Sequence, residues 1–301
     1  MLYPLICSAL IYEVVVRKTE NLLGIYEKAL PKDMSWSTKL QTAKELGFDF
    51  MELSIDETDE RLARLDWTPE EKRQLIQDMA KLEMPIRSMC FSGHRRYPLG
   101  SRNPEVRERA LELMAKAIKF AGDMGIRVIQ LAGYDVYYEE HGEDTLAYFI
   151  EGLKKCVAMA AQHQVMLAIE IMDTTFLNSI QKYMVYDSLI KSPWLAVYPD
   201  IGNLSAWGHD VNDELEIGYS RIVAVHVKET LNVTDEFPGK FRDTSFGTGD
   251  VDFVSIFKKL KSLSYSGPFL IEMWADTFAE PLAEIVRSKE FVLDKLRAGG
   301  F

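Results

Sequence analysis

The stretch Val165-Met-Leu-Ala-Ile-Glu-Ile-Met-Asp173 is an apolar run that contains a carboxylate close to its end. Five apolar residues precede Glu170, which is typical of a strand buried on both faces of a parallel sheet. An unpaired carboxylate inside such a strand is costly. We therefore expect Glu170 to lie at the carboxyl end of the strand, where it can reach a ligand or a metal ion.

The same pattern occurs in three later apolar segments of the chain. The segment 195–200 ends in Asp200, the segment 222–226 ends in His226, and the segment 269–272 ends in Glu272. Four predicted strands thus each end in a residue type that binds metal ions. The chain is organised around the place where these four ends meet.

The order of predicted elements favours a (β/α)8 TIM barrel in the α/β class. Predicted strands begin near residues 22, 48, 86, 127, 166, 195, 222 and 269, and a predicted helix follows each of them. Their mean spacing is roughly 35 residues, close to the ~30 of a typical barrel of this kind. An open doubly wound sheet is the alternative, but the first strand–helix turn, residues 26–31, has no GxGxxG motif. We expect a single catalytic barrel domain over residues 22–301, preceded by an extension over residues 1–21.

Helix-start signals support this division into elements. The segment Thr68-Pro-Glu-Glu71 predicts a capping box with proline at the first helical position. Asn103 and Pro104 predict the start of a long helix that ends at Gly125.

Composition excludes several classes of protein. The net charge of −11 argues against a duplex nucleic-acid binder, which needs Lys and Arg to neutralise phosphates. No run approaches the roughly 18 apolar residues of a membrane span. The apolar first twelve residues lack a basic segment, so they make a weak signal peptide. The cysteines Cys7, Cys90 and Cys156 show no CxxC spacing and predict free thiols in a reducing cytoplasm.

Glu170, Asp200, His226 and Glu272 together predict a metal centre. The carboxyl ends of consecutive barrel strands meet at one face of the barrel, so these side chains should converge. Three carboxylates and one imidazole without a thiolate suit one divalent ion of Zn, Mn, Co or Mg. Any one of these residues alone would more often be ion-paired or would cap a helix.

Several segments resemble the xylose-isomerase-like barrel superfamily and, within it, the L-ribulose-5-phosphate 3-epimerases (also called L-xylulose-5-phosphate 3-epimerases). The matching segments are Gly24-Ile-Tyr-Glu-Lys-Ala-Leu-Pro31, Leu46-Gly-Phe-Asp-Phe50, Asp56-Glu-Thr-Asp-Glu-Arg61, His94-Arg-Arg96, Ile126-Arg-Val-Ile-Gln-Leu-Ala-Gly-Tyr-Asp-Val-Tyr-Tyr138, Glu170-Ile-Met-Asp173, Tyr198-Pro-Asp-Ile-Gly-Asn-Leu-Ser-Ala-Trp207, Val223-Ala-Val-His-Val-Lys228 and Leu270-Ile-Glu-Met-Trp274. Residues 1–21 have no counterpart in this resemblance. The loop after His226 looks a few residues longer than expected, around residues 233–238.

The resemblance implies a cytoplasmic enzyme that interconverts L-xylulose 5-phosphate and L-ribulose 5-phosphate in L-ascorbate or pentose catabolism. It assigns Glu170 and Glu272 both as metal ligands and as the two groups that move the C3 proton, through a metal-stabilised enediolate. Carboxylates on two sides of a carbon can serve as base and acid in turn. The partners expected are a small phosphorylated ketopentose, no nucleic acid and no membrane, and a homodimer is left open.

Other functions stay open at this point. An aldose–ketose isomerase of the hexulose-6-phosphate isomerase type could use the same metal and glutamates to move a proton between C1 and C2. A metal-dependent endonuclease of the same fold would need more ligands and a basic surface, which the charge of −11 disfavours. A metal-binding protein without turnover is disfavoured by paired glutamates on the metal.

The phosphate site is predicted from polar residues near strand ends. Candidates are residues after the third strand, after His226 and in a glycine loop that could approach an anion, namely His94, Arg95, Arg96, Lys228, Gly247 and Gly249. Glu52, at the end of the second strand, is a candidate contact of the substrate.

Overall fold

A computed structural model describes residues 21–301 of the chain, and these residues form a parallel β-barrel surrounded by helices. The predicted extension, apart from Asn21, lies outside the described residues. Eight parallel strands follow the ring order β6-β5-β4-β3-β2-β1-β8-β7. The strands are β1 Leu23–Tyr26, β2 Phe50–Ile55, β3 Ile86–Phe91, β4 Val128–Ala132, β5 Met166–Glu170, β6 Leu195–Tyr198, β7 Val225–Val227 and β8 Phe269–Ile271. The predicted (β/α)8 fold is confirmed.

The barrel is nearly closed between β6 and β7, where pairing is reduced to two single bridges. Val197 pairs with Ile222, and Asp200 pairs with His226, both in the parallel sense. The backbone N–H of His226 donates to the carbonyl oxygen of Pro199 at 2.9 Å. This closure brings two of the predicted metal ligands side by side.

Helices cover the outside of the barrel. In residues 21–301 they are α1 Trp36–Glu45, α2 Asp59–Leu62, α3 Pro69–Leu82, α4 Pro104–Met124, α5 Glu143–Gln162, α6 Ile180–Ile190, α7 Ile201–Ala206, α8 Val211–Gly218, α9 Phe253–Ser262 and α10 Pro281–Ala298. Their apolar faces and the outward side chains of the strands form one continuous core. None of the helices described is both long enough and apolar enough to cross a membrane.

The predicted helix caps form as expected. The Thr68 side chain accepts from the backbone of Glu71, and the Glu71 carboxylate accepts from the Thr68 N–H at 2.7 Å, which completes the capping box. Asn103 caps α4, and Gly125 ends it with a positive φ of 77° that favours glycine. Cys90 and Cys156 are buried free thiols, while Cys7 lies outside the described residues.

Four strand ends differ from the prediction, and the difference at β8 is a single residue, since the strand stops at Ile271. β6 stops at Tyr198, so Asp200 lies beyond the strand, where it caps α7 by accepting from the Asn203 N–H at 2.9 Å. This short helix was not predicted. His226 is the middle residue of β7 rather than its end, and Glu52 is the third residue of β2 rather than its end. An apolar run shows that a strand is buried but does not show where its hydrogen bonding starts and stops.

Candidate active site

The four predicted ligands meet at the carboxyl ends of the strands. Glu170 ends β5, Asp200 begins α7, His226 lies in β7, and Glu272 follows β8 directly. One ligand atom of each lies within 4.8 Å of the ligand atoms of the other three. All four side chains are buried. This oxygen-rich donor set with one imidazole nitrogen fits a divalent cation.

A lysine lies among these carboxylates. The Nζ of Lys228 is 2.6 Å from Oδ2 of Asp200 and 3.1 Å from Oε2 of Glu272. Burial alone would lower the pKa of Lys228, but these two carboxylates outweigh it and raise the pKa. The buried ammonium group of Lys228 therefore offsets part of the negative charge of these carboxylates.

Burial raises the pKa values of the carboxyl groups in the cluster, whereas neighbouring positive charges lower them. Burial raises the pKa of Glu170 to about 7 and that of Asp200 to about 6. Burial would also raise the pKa of Glu272, but the positive charges of Lys228 and His226 lower it to about 2. The two glutamates predicted to move protons thus lie in different electrostatic environments.

Glu52 lies behind His226 rather than in the cavity. Its Oε1 is 2.9 Å from Nε2 of His226, and its Oε2 accepts from the hydroxyls of Ser88 at 2.6 Å and Tyr198 at 3.3 Å. The side chain is fully buried. These contacts occupy both carboxylate oxygens, so the structure does not support the predicted substrate contact of Glu52.

A cavity opens next to the ligand cluster at the mouth of the barrel. Glu170, Glu272 and Asn203 lie on its wall together with the aromatic rings of Tyr26 and Trp274. Its cations are Lys28, Arg95, Lys228 and Arg242. With Asp173, three carboxylates and four cations therefore face one small space, which is an arrangement suited to a polar anionic ligand.

The cations Lys28, Arg95 and Arg242 at the rim of the cavity each contact a neighbouring acidic or aromatic side chain. Lys28 lies 2.6 Å from Asp56, and Arg95 lies 3.7 Å from Glu57 with its guanidinium 4.7 Å from the centre of the Tyr137 ring.

Arg242 stacks 5.1 Å above Trp274. Lys28 and Arg242 were not predicted from the sequence as residues of the cavity. Lys28 lies in the motif directly after the first strand, which was a usable signal, whereas nothing in the sequence places the long loop of Arg242 over the cavity.

Two of the predicted phosphate ligands lie away from this cavity. The His94 ring is buried, its Nε2 lies 3.2 Å from the carbonyl oxygen of Ala110, and its edge packs on Phe91. Burial lowers its pKa to about 4. Arg96 is on the surface, where it pairs with Asp59 at 2.7 Å. Of the three residues 94–96, only Arg95 reaches the cavity.

The glycine loop already contains an anion from the chain itself. The Glu229 carboxylate is buried and accepts the backbone N–H of Gly247 at 2.8 Å and that of Val251 at 3.3 Å. A Cβ at Gly249 would lie 2.5 Å from Oε1 of Glu229, so this glycine allows the close approach. The Gly247 N–H thus already has an acceptor within the chain, and the binding of a phosphate by Gly247 and Gly249 stays a prediction.

The family follows from comparison with known proteins. The family described as xylose isomerase-like TIM barrel matches residues 40–295 of the chain. The chain belongs to this family, as the sequence resemblance predicted.

Relatives of high sequence identity place the chain, within this family, among the sugar epimerases. The chain is 56% identical to SgbU of Escherichia coli (strain K12), over 93% of this chain and 98% of SgbU. It is 51% identical to the L-ribulose-5-phosphate 3-epimerase UlaE of Shigella boydii serotype 18 (strain CDC 3083-94 / BS512), over 92% of this chain and 96% of UlaE. These relatives identify the chain as an enzyme of the carbohydrate epimerase class.

Solved structures agree on the fold. The structure of an L-ribulose 3-epimerase matches with a TM-score of 0.74 at 18% identity, covering 93% of this chain and 96% of that one. A D-allulose 3-epimerase from Methylomonas sp. matches with a TM-score of 0.74 at 16% identity, covering 92% and 98%.

Proposed function

We propose that this enzyme interconverts L-ribulose 5-phosphate and L-xylulose 5-phosphate by inverting the configuration at C3. The observation that carries the proposal is the pair Glu170 and Glu272, two buried carboxylates on the wall of one cavity. They come from β5 and β8, with β6 and β7 between them in the ring, so they approach the cavity from separate strands. The substrate follows from relatives such as the L-ribulose-5-phosphate 3-epimerase UlaE.

We propose further that Glu170, Asp200, His226 and Glu272 hold one divalent cation of Zn, Mn, Co or Mg. Their clustering within 4.8 Å and the chemistry of the donor set support this. When bound, such a cation supplies Lewis-acid polarisation of the substrate carbonyl, which makes the neighbouring C–H proton more acidic.

The two glutamates then divide the proton transfer. In one direction a carboxylate oxygen of the first glutamate removes the C3 proton from one side. The carboxyl group of the second donates a proton to the same carbon from the other side, and the roles exchange in the reverse direction. One C–H bond breaks and one forms, so the configuration inverts without loss of atoms. Tyr26 and Trp274 line the cavity beside these groups and limit the access of water.

We propose that the phosphate lies on the other half of the barrel mouth, near Lys28 and Arg95. The metal ligands come from β5 to β8, whereas Lys28 follows β1 and Arg95 follows β3. Within residues 21–301 the buried Nε of Arg95 has no hydrogen-bond partner, so it can donate to a phosphate oxygen. Arg242 faces the same cavity from the loop after β7. We propose from the resemblance that the reaction serves L-ascorbate or pentose catabolism in the cytoplasm.

A product assay tests the proposal. Purified enzyme treated with a chelator and then supplied with Mn²⁺, Co²⁺, Zn²⁺ or Mg²⁺ is mixed with L-ribulose 5-phosphate. We expect L-xylulose 5-phosphate to form only when a divalent ion is present. Formation of an aldose phosphate would show an isomerase instead, and no product with any of the four ions would contradict the proposed reaction.

A further inference from the structure

We infer that Glu52 is a positioning residue that keeps the ring proton of His226 on Nε2, so that Nδ1 is the atom that binds the metal. This inference rests on the proposed metal centre and adds which nitrogen is the ligand and what selects it.

The Nε2 side of the imidazole faces away from the cavity. Nε2 lies 2.9 Å from Oε1 of Glu52, and both side chains are fully buried. A buried carboxylate at this distance accepts an N–H, since two acceptors facing each other without a proton would repel. The Nε2 proton is therefore held by Glu52.

The Nδ1 side faces the other ligands. Nδ1 is 3.1 Å from Oε1 of Glu170 and 3.8 Å from Oε2 of Glu272. Both of these glutamates line the cavity, whereas Glu52 does not. A cation held by Glu170 and Glu272 is therefore placed to replace the Nδ1 proton that Glu170 accepts and to use the Nδ1 lone pair.

Glu52 is itself fixed by hydrogen bonds from neighbouring strands. The hydroxyl of Ser88, which pairs with Glu52 across β2 and β3, donates to Oε2 at 2.6 Å. The Tyr198 hydroxyl donates to the same oxygen at 3.3 Å, and its ring lies 4.5 Å from the His226 ring. The carboxylate therefore has one orientation, and the imidazole has one ring position.

Such an outer carboxylate strengthens the metal ligand. A carboxylate that accepts the second N–H of a ligating histidine fixes the tautomer and raises the basicity of the ligating nitrogen. Loss of such a partner typically lowers metal affinity by roughly 10–100-fold. Glu52 would thus act on the metal without touching it or the substrate.

The direct test needs no variant. The enzyme labelled with ¹⁵N-histidine is titrated with Zn²⁺ alone, and the ring nitrogens are followed by two-bond proton–nitrogen correlation. We expect the Nδ1 resonance of His226 to shift as the metal-bound nitrogen while Nε2 stays protonated. A metal-bound Nε2 would overturn this inference and leave the metal centre intact. No zinc binding would contradict the proposed metal centre and the inference with it.

A variant series measures the contribution of Glu52. Glu52→Gln keeps the shape of the side chain, and we expect Co²⁺ affinity by calorimetry to fall roughly 10-fold or more, with a changed visible spectrum of the bound Co²⁺. Ser88→Ala, which removes only one bond to Glu52, should give a smaller fall in the same direction. Ser54→Ala is the matched control, since its hydroxyl is 3.0 Å from Tyr26 rather than on Glu52. Wild-type affinity and spectrum in a folded Glu52→Gln protein would overturn the inference. If Glu52→Gln does not fold, unchanged Co²⁺ affinity in Ser88→Ala would overturn it.

Discussion

The ammonium group of Lys228 lies 2.6 Å from the carboxylate of Asp200, and both side chains are buried. Three further titratable groups of the cluster surround this pair. Lys228 therefore compensates part of a concentrated negative charge at the site where we place the cation.

Lys228→Met removes this compensating charge with little change in side-chain volume. Breaking a buried ion pair from one side costs about 3–5 kcal/mol of unfolding free energy, since a buried charge is left uncompensated. We expect that loss in urea unfolding with a chelator present, and a partial recovery when Mn²⁺ is added. The control Lys116→Met breaks an exposed pair with Asp66 and should cost less than about 1 kcal/mol. Equal losses in the two variants would contradict this reading.

Arg95 and Arg96 are adjacent in sequence but differ in position, which makes them a matched pair. Arg95→Met should raise KM for L-ribulose 5-phosphate roughly 10–100-fold, because a charge-assisted hydrogen bond to phosphate is worth about 1.5–3 kcal/mol. Arg96→Met should leave KM near the wild-type value, because Arg96 pairs with Asp59 on the surface.

Unphosphorylated L-ribulose separates phosphate binding from other effects of the Arg95 substitution. Its turnover should be affected equally little by both substitutions. An equal rise in KM for the phosphorylated and unphosphorylated sugars in Arg95→Met would contradict the proposed phosphate contact.

The Glu229 carboxylate accepts backbone hydrogen bonds at the end of the loop that carries Arg242 and so stabilises that loop. Glu229→Gln replaces an acceptor of several backbone N–H groups with an amide that meets some of them with its own N–H. We expect a loss of about 1–3 kcal/mol in stability and faster proteolysis within residues 230–250. Glu236→Gln, on the exposed part of the same loop, is the control. Unchanged proteolysis in Glu229→Gln would show that the carboxylate does not hold this loop.

His94 gives the stability of the protein a dependence on acid pH. Burial lowers its pKa from the ordinary 6.5 to about 4, so the folded state disfavours the charged ring that the unfolded state accepts. Stability from this group is complete above about pH 6.5 and is lost as the pH falls towards 4, by up to about 3 kcal/mol. His94→Gln should reduce that slope between pH 7 and 4 in urea titrations. An identical slope in the variant would contradict the assignment.

The sequence predicted the barrel and the clustering of Glu170, Asp200, His226 and Glu272, because both depend on local patterns. Apolar runs show buried strands, and the first polar residue after each run marks the barrel mouth. Asp200 and His226 were placed at strand ends only approximately, because the pairing that closes the barrel ends β6 early and starts β7 late.

The misassigned residues depend on contacts between distant segments. Glu52 was predicted as a substrate contact and Gly247 as a phosphate ligand, but Glu52 contacts His226 and the Gly247 N–H donates to Glu229, partners that only the folded chain brings near. Arg242 was missed for the same reason, since no periodicity describes the path of its loop. Periodicity thus identifies elements, while the partners of buried polar groups follow from the closed barrel.

We propose that Glu170 and Glu272 move the C3 proton of a pentulose phosphate. Proton NMR of L-ribulose 5-phosphate with the metal-loaded enzyme in D₂O tests it most directly. We predict deuterium at C3 together with the appearance of L-xylulose 5-phosphate, and loss of this interconversion in folded Glu170→Gln and Glu272→Gln variants. Deuterium at C1, no exchange with any metal, or interconversion retained in either variant would contradict the account.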